Sequence, residues 1–345
     1  MKKLILHLGR AKTGSSTLQE AFGAASESLR DQGVMYPSFK PYNHSFQFTV
    51  LFKEDPRATF YYRQFAPADE AEWDAEKARL TRRWSRFFDS ANSGVWIISA
   101  ENLPAMSVAE IQAVVDFVRP YFDEVVAIAY VRHPETVLRS QWEEFVKVME
   151  ADVSGQELLE QTVRSYNFRF LNRWSEVLGK DRIVVRPFDT ERFLGGTLQS
   201  DFLHFAGLQH IDLPLVDTPA NVSLGREGAA FLQAYNARYP LYIDGKANPR
   251  RGLVGHLHEL YSAMREVPTQ PLKFAVRFSR EEAEHINSQI ELVNSYLRPE
   301  DRFHPVVASE QPTRVPLPSD IPLDYFVDLV NQLALRIERL IEKER

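Results

Sequence analysis

The chain contains no cysteine, which excludes disulfides, zinc–thiolate centres and a cysteine nucleophile and suits a reducing compartment. Basic excess is lacking too. Forty-one Lys and Arg face 47 Asp and Glu, a formal net charge of −6, where a non-specific nucleic-acid binder carries a positive balance. That balance leaves room for a local basic pocket around an anionic ligand. No apolar run reaches the length a bilayer-spanning helix needs, and no repeat or low-complexity segment interrupts the 345 residues. The nine histidines show no metal-ligand spacing; His256 and His258 stand two apart without carboxylates in register, so no metal is expected. The opening segment Leu4-Ile5-Leu6-His7-Leu8 is broken by His7 and ends at Gly9-Arg10, which reads as a first strand rather than a leader peptide. These absences lead to an expectation of a cytoplasmic protein with no nucleic-acid partner and no integral membrane segment.

What is present is a chain of short apolar runs alternating with helical patterns. Runs at 4–8, 95–99, 125–131 and 183–185 have strand length. Between them lie patterns with 3.6-residue spacing: Leu18, Phe22, Ala25 and Leu29; a charged amphipathic stretch over 71–90; Ile111, Val114, Val115 and Val118; Leu138, Trp142, Phe145 and Met149; and a stretch over 168–178. This alternation predicts βαβ units, hence an α/β fold with a central, mostly parallel sheet flanked by helices. Residues 36–70 are rich in aromatics and prolines without a clean period and read as a loop-rich insertion; with the following helix they form a variable segment over 36–90. Beyond about residue 220 strands cease and helices dominate, the last one carrying Phe326, Leu329, Leu333, Ile337 and Leu340. The expected organisation is a core over 1–220 and a helical region over 221–345 packed on it, one domain in all. Whether the last helix packs only on its own domain or also forms a homodimer interface is open.

The most informative segment is Gly9-Arg10-Ala11-Lys12-Thr13-Gly14-Ser15-Ser16-Thr17, between a strand and a helix. Glycines allow a tight turn there, and amides at a helix start face an anion. Gly9 and Gly14 have the spacing of a Walker A loop, but that motif places lysine directly after the second glycine. Here Ser15 holds that place and the lysine comes two residues before Gly14. The next two strands end in Glu101 and Arg132 rather than in a magnesium-holding aspartate. A nucleotide or small-molecule kinase therefore loses its lysine position and its metal site together, and is carried as the alternative enzyme class.

The pattern Lys12-Thr13-Gly14-Ser15-Ser16-Thr17 resembles the 5′-phosphosulfate loop of sulfotransferases that use 3′-phosphoadenosine 5′-phosphosulfate (PAPS). The family's second signature, an arginine at a strand end and a serine eight residues on, is matched by Arg132 and Ser140 in VVAIAYVRHPETVLRS. Two turns of helix bring such a serine near the strand end, and a guanidinium grips phosphate in two places. The segments around Arg173-Trp174, Ile183 to Phe188, Asp201-Phe202-Leu203 and Asn221 to Leu224 also look like the family. The resemblance covers roughly residues 1–230. It implies a P-loop-like three-layer fold, PAPS as co-substrate, 3′,5′-adenosine bisphosphate (PAP) as product, and no required metal.

On that resemblance Arg10, Lys12, Thr13, Gly14, Ser15, Ser16 and Thr17 bind the 5′-phosphosulfate, and Arg132 with Ser140 binds the 3′-phosphate. Lys12 stabilises the leaving group. Two general-base candidates stay open: Glu101, after the second strand of the core, and His44, in Tyr42-Asn43-His44-Ser45. His7 reads as a packed core residue and His133 as structural. Arg250-Arg251-Gly252 is a weak match to a basic loop over the 3′-phosphate, equally well read as a solvated turn. Trp142 is either near the adenine or simply core. The acceptor is an unidentified small molecule or saccharide; a carbohydrate or glycolipid precursor comes first, and a small alcohol, phenol or amine after it. A family member that binds a phosphorylated ligand without turnover is the remaining alternative.

Overall fold

The structure is a computed structural model and describes residues 1–10, 12–37, 39, 41–57, 59, 69–148, 155–214, 225–240, 242–243, 246–248, 250, 260, 263–264, 266–269, 275–311 and 321–344. The expectations placed on Ala11, on Asn221 to Leu224, on Arg251-Gly252, on Met149, and on His256 and His258 lie outside these residues.

Five strands, β1 (Lys2–Leu8), β2 (Val34–Met35), β3 (Gly94–Ala100), β4 (Glu124–Val131) and β5 (Ile183–Pro187), form one sheet in the order β2-β3-β1-β4-β5. Every pairing is parallel. The predicted α/β class is the observed one. Leu4, Ile5, Leu6 and Leu8 are fully buried, as are Ile97, Ile98, Ala127 and Ile128. A strand covered on both faces needs apolar residues of both parities, which is why these strands read as mostly apolar runs.

The two faces are distinguishable by residue parity. Ile5, Ile97, Ile128 and Tyr130 pack with Leu18, Phe22 and Leu29 from the helices Ser15–Ala24 and Ser26–Asp31, and with Phe202 and Leu203 from the helix Leu198–Ala206. On the opposite face Trp96 meets Phe122, which meets Phe88 of the helix Glu70–Phe88. Trp174 of the helix Arg169–Leu178 donates its ring N–H to the Leu103 carbonyl on the same side. Burial of these large side chains contributes roughly 1.5–3 kcal/mol each.

Three expectations about elements need correction. The stripe Leu18, Phe22, Ala25, Leu29 is buried as predicted, but the helix breaks at Ala25 into two short ones. The supposedly loop-rich segment contains the helix Ser45–Phe52. Its sequence, SFQFTVLF, hides the helical period because Phe48, Val50, Leu51 and the polar Ser45, Gln47 and Thr49 are all buried, so no solvent face marks it. Strands also do not cease after residue 220: β6 (Tyr242–Ile243) and β7 (Lys246–Ala247) form a small antiparallel pair.

The chain divides into two compact units. The first comprises 1–133, 167–217 and 288–305; the second comprises 134–166, 218–287 and 306–345. In the second, Trp142, Leu159, Leu232, Met264, Tyr325 and Leu329 build a core of their own from the helices Pro134–Val148, Gly155–Ser165, Arg226–Arg238 and Leu323–Glu344. No helix among the described residues is long and apolar enough to cross a membrane.

Candidate active site

The strand order creates a switch point. After β1 the chain leaves for β2 and β3 on one side of it, then crosses to β4 and β5 on the other. Connections on the two sides part company at the carboxyl end of β1, where open parallel sheets leave a crevice for ligands. The loop from Gly9 to Gly14 begins there. Register aligns Leu8 with Ala100, and the Gly9 amide donates to the carbonyls of His7 (3.0 Å) and Ala100 (3.1 Å). That fixes the loop entry beside the start of the segment following β3.

The surroundings of Gly9 are tight for any side chain. A Cβ there would lie 3.0 Å from Ser15 Oγ and 3.1 Å from Glu101 Cγ. The carboxylate-bearing side chain of Glu101 is therefore packed against the loop entry, half-buried. Two residues of the loop take left-handed backbone conformations, Lys12 (φ 65°) and Gly14 (φ 73°). The conformation costs glycine little, whereas for lysine it costs roughly 1–2 kcal/mol.

Interactions around Lys12 compensate. The Thr13 amide (3.3 Å) and hydroxyl (2.8 Å) both donate to the Arg10 carbonyl, and the Ser15 hydroxyl donates there too (3.2 Å). From the other side of the switch point, Arg132 Nη1 donates to the Lys12 carbonyl at 3.3 Å. The Arg132 guanidinium lies 5.5 Å over the Phe188 ring, and Phe188 in turn packs against Gly14. Residues 120 positions apart in sequence thus meet at one loop.

The helix that follows starts at Ser15 with Gly14 as its N-cap residue. Gly14 has no side chain to cap the first turn, and the first turn itself carries no acidic residue, so the helix's own sequence does not offset its positive end. Ser16 is exposed and Thr17 half-buried, whereas Thr13 and Ser15 are buried and their hydroxyls hold the loop together. Arg10 is turned to another segment: its guanidinium donates to the Asn167 carbonyl (2.8 Å) and lies 5.0 and 5.3 Å over the Phe168 and Phe170 rings.

His44 is wholly buried. Its ring stands within 5.1–5.8 Å of the Tyr36, Phe39 and Trp84 rings. Its Nδ1 accepts the Ser99 amide at 3.2 Å, so that nitrogen carries no proton, and its Nε2 has no hydrogen-bond partner. Burial lowers its pKa to about 3. Such a ring, enclosed by aromatics and reluctant to take a proton, has the wrong placement for receiving one from a substrate. Burial also lowers His7 to about 4. His7 Nδ1 lies 2.8 Å from Ser99 Oγ, to which the Gln19 amide also donates at 3.1 Å. His7, Gln19, Ser99 and His44 form a buried polar cluster directly beneath the loop.

Glu101 is held differently. The Ser45 hydroxyl accepts the amides of Glu101 (2.6 Å) and Asn102 (3.2 Å) and donates to Asn43 Oδ1 (2.6 Å). Sequence reasoning missed Ser45 and Asn43. The available signal was an Asn two residues before a Ser at a helix start, a pairing that commonly closes a local turn. Phe188, the ring beneath Arg132, was missed as well.

The site therefore combines Lys12, Arg132, Glu101, and the helix start at Ser15, Ser16 and Thr17 in the first unit. Ser140, half-buried on the helix Pro134–Val148, belongs to the second unit, as does Trp142, which is buried in that unit's core. Two cations and an uncapped helix end suit a polyanion, and one carboxylate at the loop entry could take a proton.

No family model and no curated protein sequence matches the chain. Among solved structures, the chain is similar to a sulfotransferase from Alicyclobacillus acidocaldarius at 16% identity and a TM-score of 0.38, over 67% of this chain and 91% of that one. It is also similar to the sulfotransferase domain of the curacin biosynthetic pathway at 13% identity and a TM-score of 0.35, over 84% of this chain and 98% of that one.

Proposed function

We propose that the chain is a sulfotransferase that moves the sulfuryl group of PAPS to a hydroxyl of an acceptor, releasing PAP. The observation that carries this reading is the hydrogen bond from Arg132 to the Lys12 carbonyl. It joins the loop motif and the strand-end motif, matched independently in the sequence, into one cationic site at the sheet's switch point.

The 5′-phosphosulfate is assigned to Lys12 and to the helix start at Ser15, Ser16 and Thr17, where fixed amide dipoles and a cation favour an anion. Arg10, Thr13 and Gly14 shape that loop. Arg132 and Ser140 are assigned to the 3′-phosphate. In the transfer step a new S–O bond forms to the acceptor oxygen while the S–O bond to the 5′-phosphate breaks. The bond's electron pair stays on the phosphate oxygen, where Lys12 offsets the growing charge. The acceptor's proton goes to the Glu101 carboxylate. Glu101 is preferred to His44 because it flanks the loop at Gly9, whereas His44 is enclosed. A saccharide or glycolipid precursor is the proposed acceptor class, on the aromatic-rich composition of residues 36–70 alone.

The test is transfer of ³⁵S from labelled PAPS across a panel of saccharides, phenols and amines, comparing wild type with Glu101→Gln. Transfer that falls on the order of a hundredfold in Glu101→Gln with PAP affinity retained supports the reading. PAP binding without transfer to any acceptor or to water would instead identify a non-catalytic phospho-ligand binder.

A further inference from the structure

We infer that the tripeptide Asn43-His44-Ser45 is a backbone clamp that sets the position of Glu101 at the loop entry, with Ser45 as its central positioning residue. The inference deepens the proposed function and rests on Glu101 being the group that takes the acceptor's proton.

Four polar contacts tie the tripeptide to the end of β3 and the two residues after it. The His44 amide donates to the Ser99 carbonyl (2.9 Å), and the Ser99 amide donates back to His44 Nδ1 (3.2 Å). Ser45 Oγ accepts from the amides of Glu101 and Asn102 at 2.6 and 3.2 Å. Asn102 Nδ2 donates to Thr49 Oγ1 (2.8 Å), one turn further along the same helix. Asn43 Oδ1 receives both the Ser45 amide (3.0 Å) and hydroxyl (2.6 Å), which fixes the hydroxyl rotor so that its lone pairs face the two amides.

The register of β1 with β3 ends at Ala100, and the next two amides, of Glu101 and Asn102, are received by Ser45 Oγ. The clamp takes over where the sheet stops. Ser45 and His44 are both fully buried, so removing the hydroxyl leaves two backbone amides without the acceptor they share. His44 contributes as an acceptor: it must stay neutral to receive the Ser99 amide, and its enclosure by Tyr36, Phe39 and Trp84 keeps it so. The histidine in this segment thus acts through the backbone of β3 and not on substrate.

The experiment compares Ser45→Ala and Ser45→Thr with wild type by amide hydrogen exchange, read on peptides spanning 97–105, by PAP titration, and by hydrolysis of ³⁵S-labelled PAPS with water as acceptor. Ser45→Ala is expected to speed exchange at Glu101 and Asn102 about tenfold, the equivalent of one lost hydrogen bond. Exchange over 9–17 and PAP affinity stay within about twofold. PAPS hydrolysis falls on the order of tenfold to a hundredfold in kcat with KM for PAPS retained, as expected for a base displaced by a fraction of an ångström to an ångström. Ser45→Thr, which keeps the hydroxyl, recovers most of both. Asn43→Ala, at a half-buried position, gives a smaller change in the same direction and serves if Ser45→Ala fails to fold. Unchanged exchange at 101–102 in Ser45→Ala and Asn43→Ala would overturn the clamp, and faster exchange with unchanged kcat would overturn its positioning role. An inactive-site reading is separated by Glu101→Gln: if that variant turns over PAPS like wild type, Glu101 is not the base, while the exchange result still decides the clamp.

Discussion

Acidification from pH 7 to pH 5 is expected to remove about 4 kcal/mol of stability through His7 and His44 alone. Both rings lie in the polar cluster under the loop, wholly buried, with pKa values lowered by burial to about 4 and about 3 from 6.5. Below pH 6.5 the unfolded chain takes up a proton at each ring, while the folded chain refuses one until pH 4 for His7 and pH 3 for His44. The unfolded state therefore binds more protons throughout this window, and stability falls as pH falls. At roughly 1.4 kcal/mol per pH unit per group below the unfolded pKa, each histidine contributes about 2 kcal/mol between pH 7 and pH 5. The assay is urea unfolding at both pH values, followed by tryptophan fluorescence. Four of the five tryptophans, Trp73, Trp84, Trp96 and Trp174, lie in the first unit with the cluster. His7→Gln and His44→Gln each lose some stability at pH 7, so the comparison is of pH dependence and not of absolute stability. Each variant is expected to show about half the histidine contribution of wild type. A His44→Gln protein with the same loss from pH 7 to pH 5 as wild type would refute the reasoning, since it would mean that His44 titrates equally in both states.

Two further predictions concern the frame of the site. Asp201 is wholly buried and accepts from Arg186 (2.8 and 3.2 Å), the Tyr130 hydroxyl (2.8 Å) and the Leu194 amide (2.9 Å), while Arg186 also pairs with Asp301. Asp201→Ala leaves Arg186 with Asp301 as its single carboxylate partner among the described residues and strands a hydroxyl and an amide, and is expected to cost about 3–5 kcal/mol in urea unfolding; a loss below about 1 kcal/mol would contradict this. Gly14→Ala would press a methyl into Leu198 and to 2.8 Å from Phe188 Cε2 at a φ of +73°. PAP affinity should fall at least tenfold by titration, with wild-type affinity contradicting the left-handed turn as a requirement of the loop.

How much was legible in the sequence follows from which forces act locally. Strands β1, β3, β4 and β5 announced themselves because both of their faces are buried, so apolar residues of both parities dominate them, with His7, Ser99 and Arg186 as buried exceptions. The loop could be read because its glycines and lysine are contiguous, and Glu101 because it directly follows a recognisable strand. The helix Ser45–Phe52 could not be read, since burial on all sides erased its period. His44 looked like a loop residue available to substrate. What encloses it comes from Tyr36, Phe39 and Trp84, residues whose convergence depends on tertiary packing. Ser45 was invisible for the same reason: its partners are the amides of Glu101 and Asn102, more than fifty positions away. The internal use of the Thr13 and Ser15 hydroxyls likewise emerges only from the folded loop.

The most direct test of the central claim is calorimetric titration with PAP of wild type, Lys12→Ala and Arg132→Ala, with and without magnesium. The account predicts magnesium-independent binding that weakens at least tenfold in Arg132→Ala, the loss expected when a buried phosphate gives up a bidentate guanidinium. No binding of PAP, or equal binding of ATP that requires magnesium, would contradict it and make a kinase the better reading of the same loop.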